Sequence, residues 1–208
     1  MFTGIIEEIG IIKAKKARAE LLVFTVLAQK TAPKLNLGDS IAIDGACFTV
    51  VEQTSDTFTV EAVPETKNRT IIRHYAEGTP VNLETTLTLQ KGISGHLVQG
   101  HVDGMGTVTS ISNQHEVEIK FPLELSRFLA FKGSVTINGV SLTISKLLEK
   151  NFIVSLIPFT LEQTNLGKLQ PGNEVNLEID LIARYLERMV DEKEGHAKYN
   201  FLKERNLI

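Results

Sequence analysis

The segment IDGACFTV (residues 43–50) returns later in the chain as INGVSLTI (137–144), with serine standing where cysteine stood. The offset of 94 residues relating Cys47 to Ser141 also relates Thr70 to Thr164, Pro64 to Pro158, Gly78 to Gly172 and Asn82 to Asn176. FTVEAVPET (58–66) aligns with FIVSLIPFT (152–160), and VNLE (81–84) recurs unchanged at 175–178. Near the start, GIIEEIG (4–10) aligns with GHVDGMG (100–106) at an offset of 96. Four blocks in one order identify a tandem duplication, which restricts the chain to two copies of one unit of roughly 90 residues. The join falls near Gln90–Ser94, in LQKGIS. Residues 1–92 and 93–180 are the two expected domains.

Each half reads as β-structure. LLVFTVLA (21–28), SIAIDG, CFTVVEQ, TFTVEAV and VNLETT are alternating or β-branched runs separated by Gly, Asp, Asn and Pro. Counting residues 5–15, this predicts about six short antiparallel strands per half. Closing each set into a barrel removes edges that would otherwise pair with other chains. The expected fold is all-β, with two similar six-stranded antiparallel barrels and helical turns only near Lys67–Ala76 and Leu123–Phe131. Beyond both repeats, Ile182, Tyr185, Leu186, Met189 and Val190 recur at helical spacing after Asp180, a suitable N-cap. Residues 181–208 are therefore expected to form an amphipathic helix, packed either on its own barrels or against the same helix of other subunits.

Several function classes drop out. A formal net charge of -3 without a basic block gives no electrostatic footprint for nucleic acid. At 42% hydrophobic and 23% charged residues, the composition is that of a folded globular chain. MFTGIIEEIG lacks the charge and apolar run of a signal peptide, and no stretch approaches the ~18 apolar residues of a membrane span, so a cytoplasmic protein is expected. The single cysteine has no partner for an internal disulfide.

Candidate functional residues gather in the repeated blocks. They are Gly4, Ile5 and Ile6; Cys47, Phe48 and Thr49; Glu61, Ala62, Val63, Pro64, Glu65 and Thr66; His96, Gly100, His101 and Val102; Lys132; Ser141, Leu142 and Thr143; and Ser155, Leu156, Ile157, Pro158, Phe159 and Thr160. Two related pockets follow from the duplication. Gly4 and Gly100 either let backbone approach a flat ligand or mark a bulge. Thr66 and Thr160, read as strand-end residues, either hydrogen-bond a ligand or serve structure alone. His96 and His101 stand five residues apart with no convincing set of further ligands, so no metal is expected. Lys132 faces Gly38 in the alignment, a second asymmetry besides Cys47 and Ser141.

MFTGII, DGACFTV, GHLVQGHVDG, INGVSLT and the IP.TLE.TNLG pattern together resemble the riboflavin synthase family of the duplicated-barrel type, over essentially the whole chain. The resemblance implies a cofactor-free transferase of riboflavin biosynthesis. Two molecules of 6,7-dimethyl-8-ribityllumazine exchange a four-carbon unit, giving riboflavin and 5-amino-6-ribitylaminouracil. It further implies a homotrimer held by C-terminal helices, with each site formed between the N-terminal barrel of one subunit and the C-terminal barrel of another. Association with lumazine synthase is a partnership to consider. By the same resemblance Cys47 acts on C7 of the acceptor, by addition or by orienting hydroxide. Ser141, Thr143 and His101 match positions that hold the donor near its 7-methyl proton, with His101 suited to move a proton. His96 is either structural or catalytic, and Lys132 matches a ligand contact. Two departures stand out: ETKNRTIIRH after the first proline, and Phe159 in place of a glutamate. A non-catalytic, antenna-type lumazine- or flavin-binding protein is the alternative, and retention of Cys47, Ser141 and both histidines favours the enzyme. A flavin-dependent oxidoreductase would need a Gly-rich phosphate loop that this sequence lacks.

Overall fold

A computed structural model describes residues 1–112 and 115–190. Strands β1 (Glu8–Arg18), β2 (Leu21–Leu27), β3 (Ser40–Ile43), β4 (Ala46–Gln53), β5 (Thr57–Ala62) and β6 (Pro80–Thr85) close into an antiparallel barrel in the order β1-β2-β5-β4-β3-β6. In the second half, β7 (Gly104–Ile111), β8 (Glu116–Lys120), β9 (Ser134–Ile137), β10 (Val140–Leu147), β11 (Asn151–Ser155) and β12 (Glu174–Ile179) close by the same connectivity. The bulges repeat as well. The register shifts at Ile12/Ala14 and again at Val108/Ser110, and at Val50/Glu52 and again at Ile144/Lys146. An extra residue bends a strand, so these paired bulges give both barrels the same curvature.

Each barrel has its own core, built on Phe24, Ile41, Phe58 and Leu83 in the first and on Ile119, Ile137, Ile144 and Phe152 in the second. Short helices cover one end of each: α1 (Pro64–Arg69), α2 (Pro158–Gln163) and 3-10 turns at Ile71–His74 and Asn165–Lys168. The sequence reading began the first of these at Lys67 and omitted the second. Both start at proline, whose missing N–H is harmless in a first helical turn. Because of this placement Thr66 and Thr160 stand on helices and not at strand ends. The departure ETKNRTIIRH leaves the backbone plan unchanged: Thr70 and Thr164 both donate to the carbonyl four residues back and cap the following 3-10 turn.

The barrels meet through their hairpin turns. Asp44–Gly45 and Asn138–Gly139 both hold positive φ at two successive positions, the geometry of a tight hairpin. A Cβ on Gly45 would stand 2.7 Å from the Gly139 nitrogen, so only glycine lets the turns abut. The repeated VNLE blocks lock this contact. Asn82 Nδ2 donates to the Asn138 carbonyl and Asn176 Nδ2 to that of Asp44, each over 2.8 Å. Asn82 Oδ1 accepts from the Asn165 amide (2.7 Å), as Asn176 Oδ1 does from that of Ile71 (2.8 Å).

Symmetry breaks at Asp44, whose counterpart is Asn138. Its carboxylate accepts from the Tyr75 hydroxyl, the Asn82 amide and Asn165 Nδ2. Burial nonetheless pushes Asp44 up to about 6 from an ordinary 3.8. The folded state therefore holds a proton that the unfolded chain has already lost, and stability should fall as pH rises from about 4 to 6. Asp44→Asn is expected to flatten that slope by about 1 kcal/mol per pH unit, measured by urea unfolding across this window. An unchanged slope would acquit Asp44.

Residues 181–190 are helical, and the Ile182 amide donates to Asp180 Oδ1 over 2.9 Å, making Asp180 the cap. Ile182, Tyr185, Leu186, Met189 and Val190 are each 51–61% exposed, so this apolar stripe is not packed on the chain's own barrels. Residues 191–208 of the expected helix lie outside the described residues. No described helix is long and apolar enough to cross a membrane.

Candidate functional site

The opening segment of each repeat crosses to the other barrel. The Gly4 carbonyl accepts from the Ser141 amide (2.8 Å), and the Gly100 carbonyl accepts from the Cys47 amide (2.9 Å). Ile6 packs on the core of the second barrel, Val102 and Met105 on that of the first. The two segments bridge at Phe2 and Val98. A Cβ on Gly4 would lie 2.6 Å from Ser141 Cβ, and one on Gly100 2.7 Å from Cys47 Cβ. The glycines thus admit a crossing segment onto a strand, where the sequence suggested a ligand edge or a bulge. Buried carboxylates hold the segments from below. Glu84 accepts from the Thr3 amide and hydroxyl and the Gly4 amide, and Glu178 accepts from the amides of Gln99 and Gly100. Burial raises both acids, Glu178 to about 7.

Sequence order and packing differ at one residue. His101 lines the first-barrel pocket, a cavity of about 240 Å³ with Ala46, Cys47, Val63, Glu65, Thr66, Arg69, Thr70, Gly100 and Val102. It does not join Ser141 and Thr143, because the crossing segment carries it to the opposite barrel. The Cys47 thiol is half-buried, and burial pushes its pKa up, with the Ser40 hydrogen bond opposing and Glu178 adding to the rise. Burial thus moves Cys47 away from the thiolate, which is the nucleophilic form.

The second pocket, about 370 Å³, is lined by Lys132, Ser141, Leu142, Thr143, Ser145, Ser155, Ile157 and Thr160. His96 belongs here: its Nδ1 lies 2.7 Å from Ser141 Oγ and its Nε2 3.3 Å from Thr136 Oγ1. With Nε2–H donating to Thr136, Nδ1 accepts the Ser141 proton. Burial lowers the His96 pKa, which favours the neutral ring with a free nitrogen lone pair. The two histidines therefore serve different pockets. Lys132 holds φ +65° where the first repeat has Gly38 at +87°. A side chain is kept at a strained position beside this pocket.

Other expected residues fall outside these cavities. Phe48, Ala62 and Leu156 turn into the barrel cores, as alternation along a strand requires when Cys47, Glu61 and Ser155 turn out. Glu61 pairs with Arg18, Pro64 opens α1, and Ile5, Thr49, Pro158 and Phe159 are exposed. Four lining residues were missed: Ala46, Arg69, Thr70 and Ser145. Arg69 sits within the departure ETKNRT, and Glu65 pairs with it across one helical turn (3.2 Å). The residue equivalent to Glu65 in the second repeat is the exposed Phe159, so the second pocket has no matching carboxylate. A cavity of about 440 Å³ between the barrels is lined by Asp44, Tyr75, Asn165 and other interface residues. Its buried polar groups are already paired with one another, so size there does not indicate a site.

The family model Lumazine binding domain matches residues 3–86 and again 99–180. Riboflavin synthase of Actinobacillus pleuropneumoniae is 39% identical, over 98% of this chain and 99% of the relative. That of Bacillus subtilis is 40% identical, over 91% and 90%. Among solved structures, LumP complexed with 6,7-dimethyl-8-(1'-D-ribityl) lumazine is similar with a TM-score of 0.77, 26% identity, and coverage of 86% of this chain and 98% of that one. LumP complexed with riboflavin gives 0.79, 27%, 86% and 99%.

Proposed function

This chain belongs to the riboflavin synthase family, whose lumazine binding domain it carries twice, and on that premise we propose that its two pockets play unequal parts in one reaction. The activity is riboflavin synthesis: two molecules of 6,7-dimethyl-8-ribityllumazine yield riboflavin and 5-amino-6-ribitylaminouracil by transfer of four carbons. One lumazine must lose a proton from its 7-methyl group while the other is attacked at C7. A duplicated barrel supplies two like pockets for two like molecules, and the divergence of Cys47 from Ser141 lets them treat those molecules differently. That divergence is the observation on which the reading rests.

We assign the donor to the Ser141 pocket. There neutral His96, hydrogen-bonded to Ser141 Oγ, takes the methyl proton by way of that hydroxyl, and Lys132 supplies positive charge for the carbanion. The acceptor is assigned to the Cys47 pocket. Burial moves its thiol further from ionisation, so addition at C7 requires proton transfer to His101 in the same cavity. Among the described residues none lines both cavities, yet donor and acceptor must touch. The reaction thus calls for the Cys47 pocket of one copy to face the Ser141 pocket of another, and the exposed stripe on residues 181–190 is the surface through which copies would gather into a trimer.

Incubating the full chain with the lumazine alone tests the activity. One riboflavin should appear for two lumazines consumed. Tight binding without a riboflavin absorption band would favour the antenna-type alternative.

A fragment of residues 1–90 retains all six strands of the first barrel but loses Gly100–Val102 from its Cys47 pocket. It should fold, and bind riboflavin when two copies pair so that Thr3–Ile6 of one takes the place of that segment on the other. Turnover should be absent, since no Ser141 pocket remains. Fluorescence titration with a parallel mass measurement checks this. A fragment that stays unfolded where the full chain folds would refute the two-domain division.

A further inference from the structure

Matched devices fasten the ends of the two crossing segments. In the first repeat the Glu7 carboxylate accepts from the Thr85 amide (2.9 Å) and meets Lys91 Nζ of the linker (2.5 Å). In the second, Asp103 accepts from the Ile179 amide through Oδ2 (2.9 Å) and from Arg184 Nη2 through Oδ1 (2.6 Å). Thr85 and Ile179 are equivalent positions, 94 residues apart. The difference lies in where the cation sits: Lys91 is in a linker, whereas Arg184 is in the first turn of the helix that bears the exposed apolar stripe.

His101 lies between two fixed points. Glu178 holds the amides of Gln99 and Gly100 at one end, and Arg184 grips Asp103, whose side chain is only 12% exposed, at the other. Arg184, Gln99 and Asp103 line a cavity of about 320 Å³ that shares Glu65, Arg69, His101 and Val102 with the Cys47 pocket. The Ser141 pocket shares none of these residues.

We propose that Arg184 is a positioning residue for the Cys47 pocket: through Asp103 it fixes the Gln99–Asp103 segment and so the seat of His101, coupling the placement of helix 181–190 to the acceptor side of the reaction. This rests on the functional reading above. The Arg184 side chain is 39% exposed and Asp103 keeps the Ile179 amide when the arginine is removed, so the loss of Arg184 should register chiefly in catalysis.

The test compares full-length Arg184→Ala, Asp103→Asn and the double variant with the parent, by kcat, KM and solution mass. Arg184→Ala should lower kcat about tenfold, with KM within about twofold and mass unchanged. Because Arg184 acts through Asp103, the double variant should lose no more than the worse single one. Unchanged kcat, a loss that accompanies a fall in mass, or losses that multiply in the double variant would each overturn the proposal. A parent chain that makes no riboflavin would overturn the functional reading and this proposal with it.

Discussion

Deleting the chain from Leu181 onward is expected to leave both barrels folded and to make turnover depend on protein concentration. Neither core draws on residues beyond Ile179, so the truncated chain keeps everything that each barrel buries. It loses the helix whose five apolar residues are more than half exposed in the single chain. If sites form only between copies, the surviving chains must collide to react. Specific activity should then fall about tenfold for each tenfold dilution, as mass action requires, while that of the parent stays constant. Light scattering should show the mass falling toward that of a single chain. The cut also removes Arg184, so activity should be below the parent even at high concentration. A truncated chain that keeps both its mass and its specific activity on dilution would show that this helix does not assemble the sites.

The second large effect is expected at the divergent pair. Cys47→Ser makes the two motifs alike at the reacting centre while keeping a small polar side chain, so the barrel should survive. If the thiol acts at C7, its contribution lies in the transition state. Turnover should fall at least ~10-fold, about 1.4 kcal/mol, with riboflavin and lumazine affinity nearly constant. Ser141→Ala removes the hydroxyl that meets His96 Nδ1. It should weaken ligand binding in its own pocket by roughly 0.5 to 1.5 kcal/mol and slow donor deprotonation as well. Steady-state riboflavin formation and fluorescence titration separate the two patterns. Unchanged turnover in Cys47→Ser would reduce the cysteine to barrel filler.

Strand alternation and the 94-residue echo made the twelve strands and the duplication legible, because both are periodic and local. Asp180 and the stripe after it were equally readable as a capped amphipathic helix. What remained hidden depends on which barrel a segment lies against. His101 stands in the second repeat, so sequence order puts it with Ser141, yet its segment crosses to Cys47 and only three-dimensional packing shows it. The repeated VNLE was visible as a repeat, but not that its asparagines lock the barrels and its glutamates hold the crossing segments. Such contacts span 56 to 132 residues and leave no periodicity. The upward shift of the Cys47 pKa and the downward shift of that of His96 follow from burial, which sequence spacing does not report.

That the two pockets act in pairs drawn from different copies can be tested by mixing two disabled chains. One carries Cys47→Ser with His101→Gln, the other Ser141→Ala with His96→Gln, so each lacks one kind of pocket and keeps the other. After subunits exchange in an equal mixture, about a quarter of the sites should join an intact Cys47 pocket to an intact Ser141 pocket, by random assortment in a closed ring. Riboflavin formation should rise to about a quarter of the parent rate, far above either variant alone. A mixture that exchanges subunits but gains no activity would mean that each chain uses its own two pockets together, and would contradict the account.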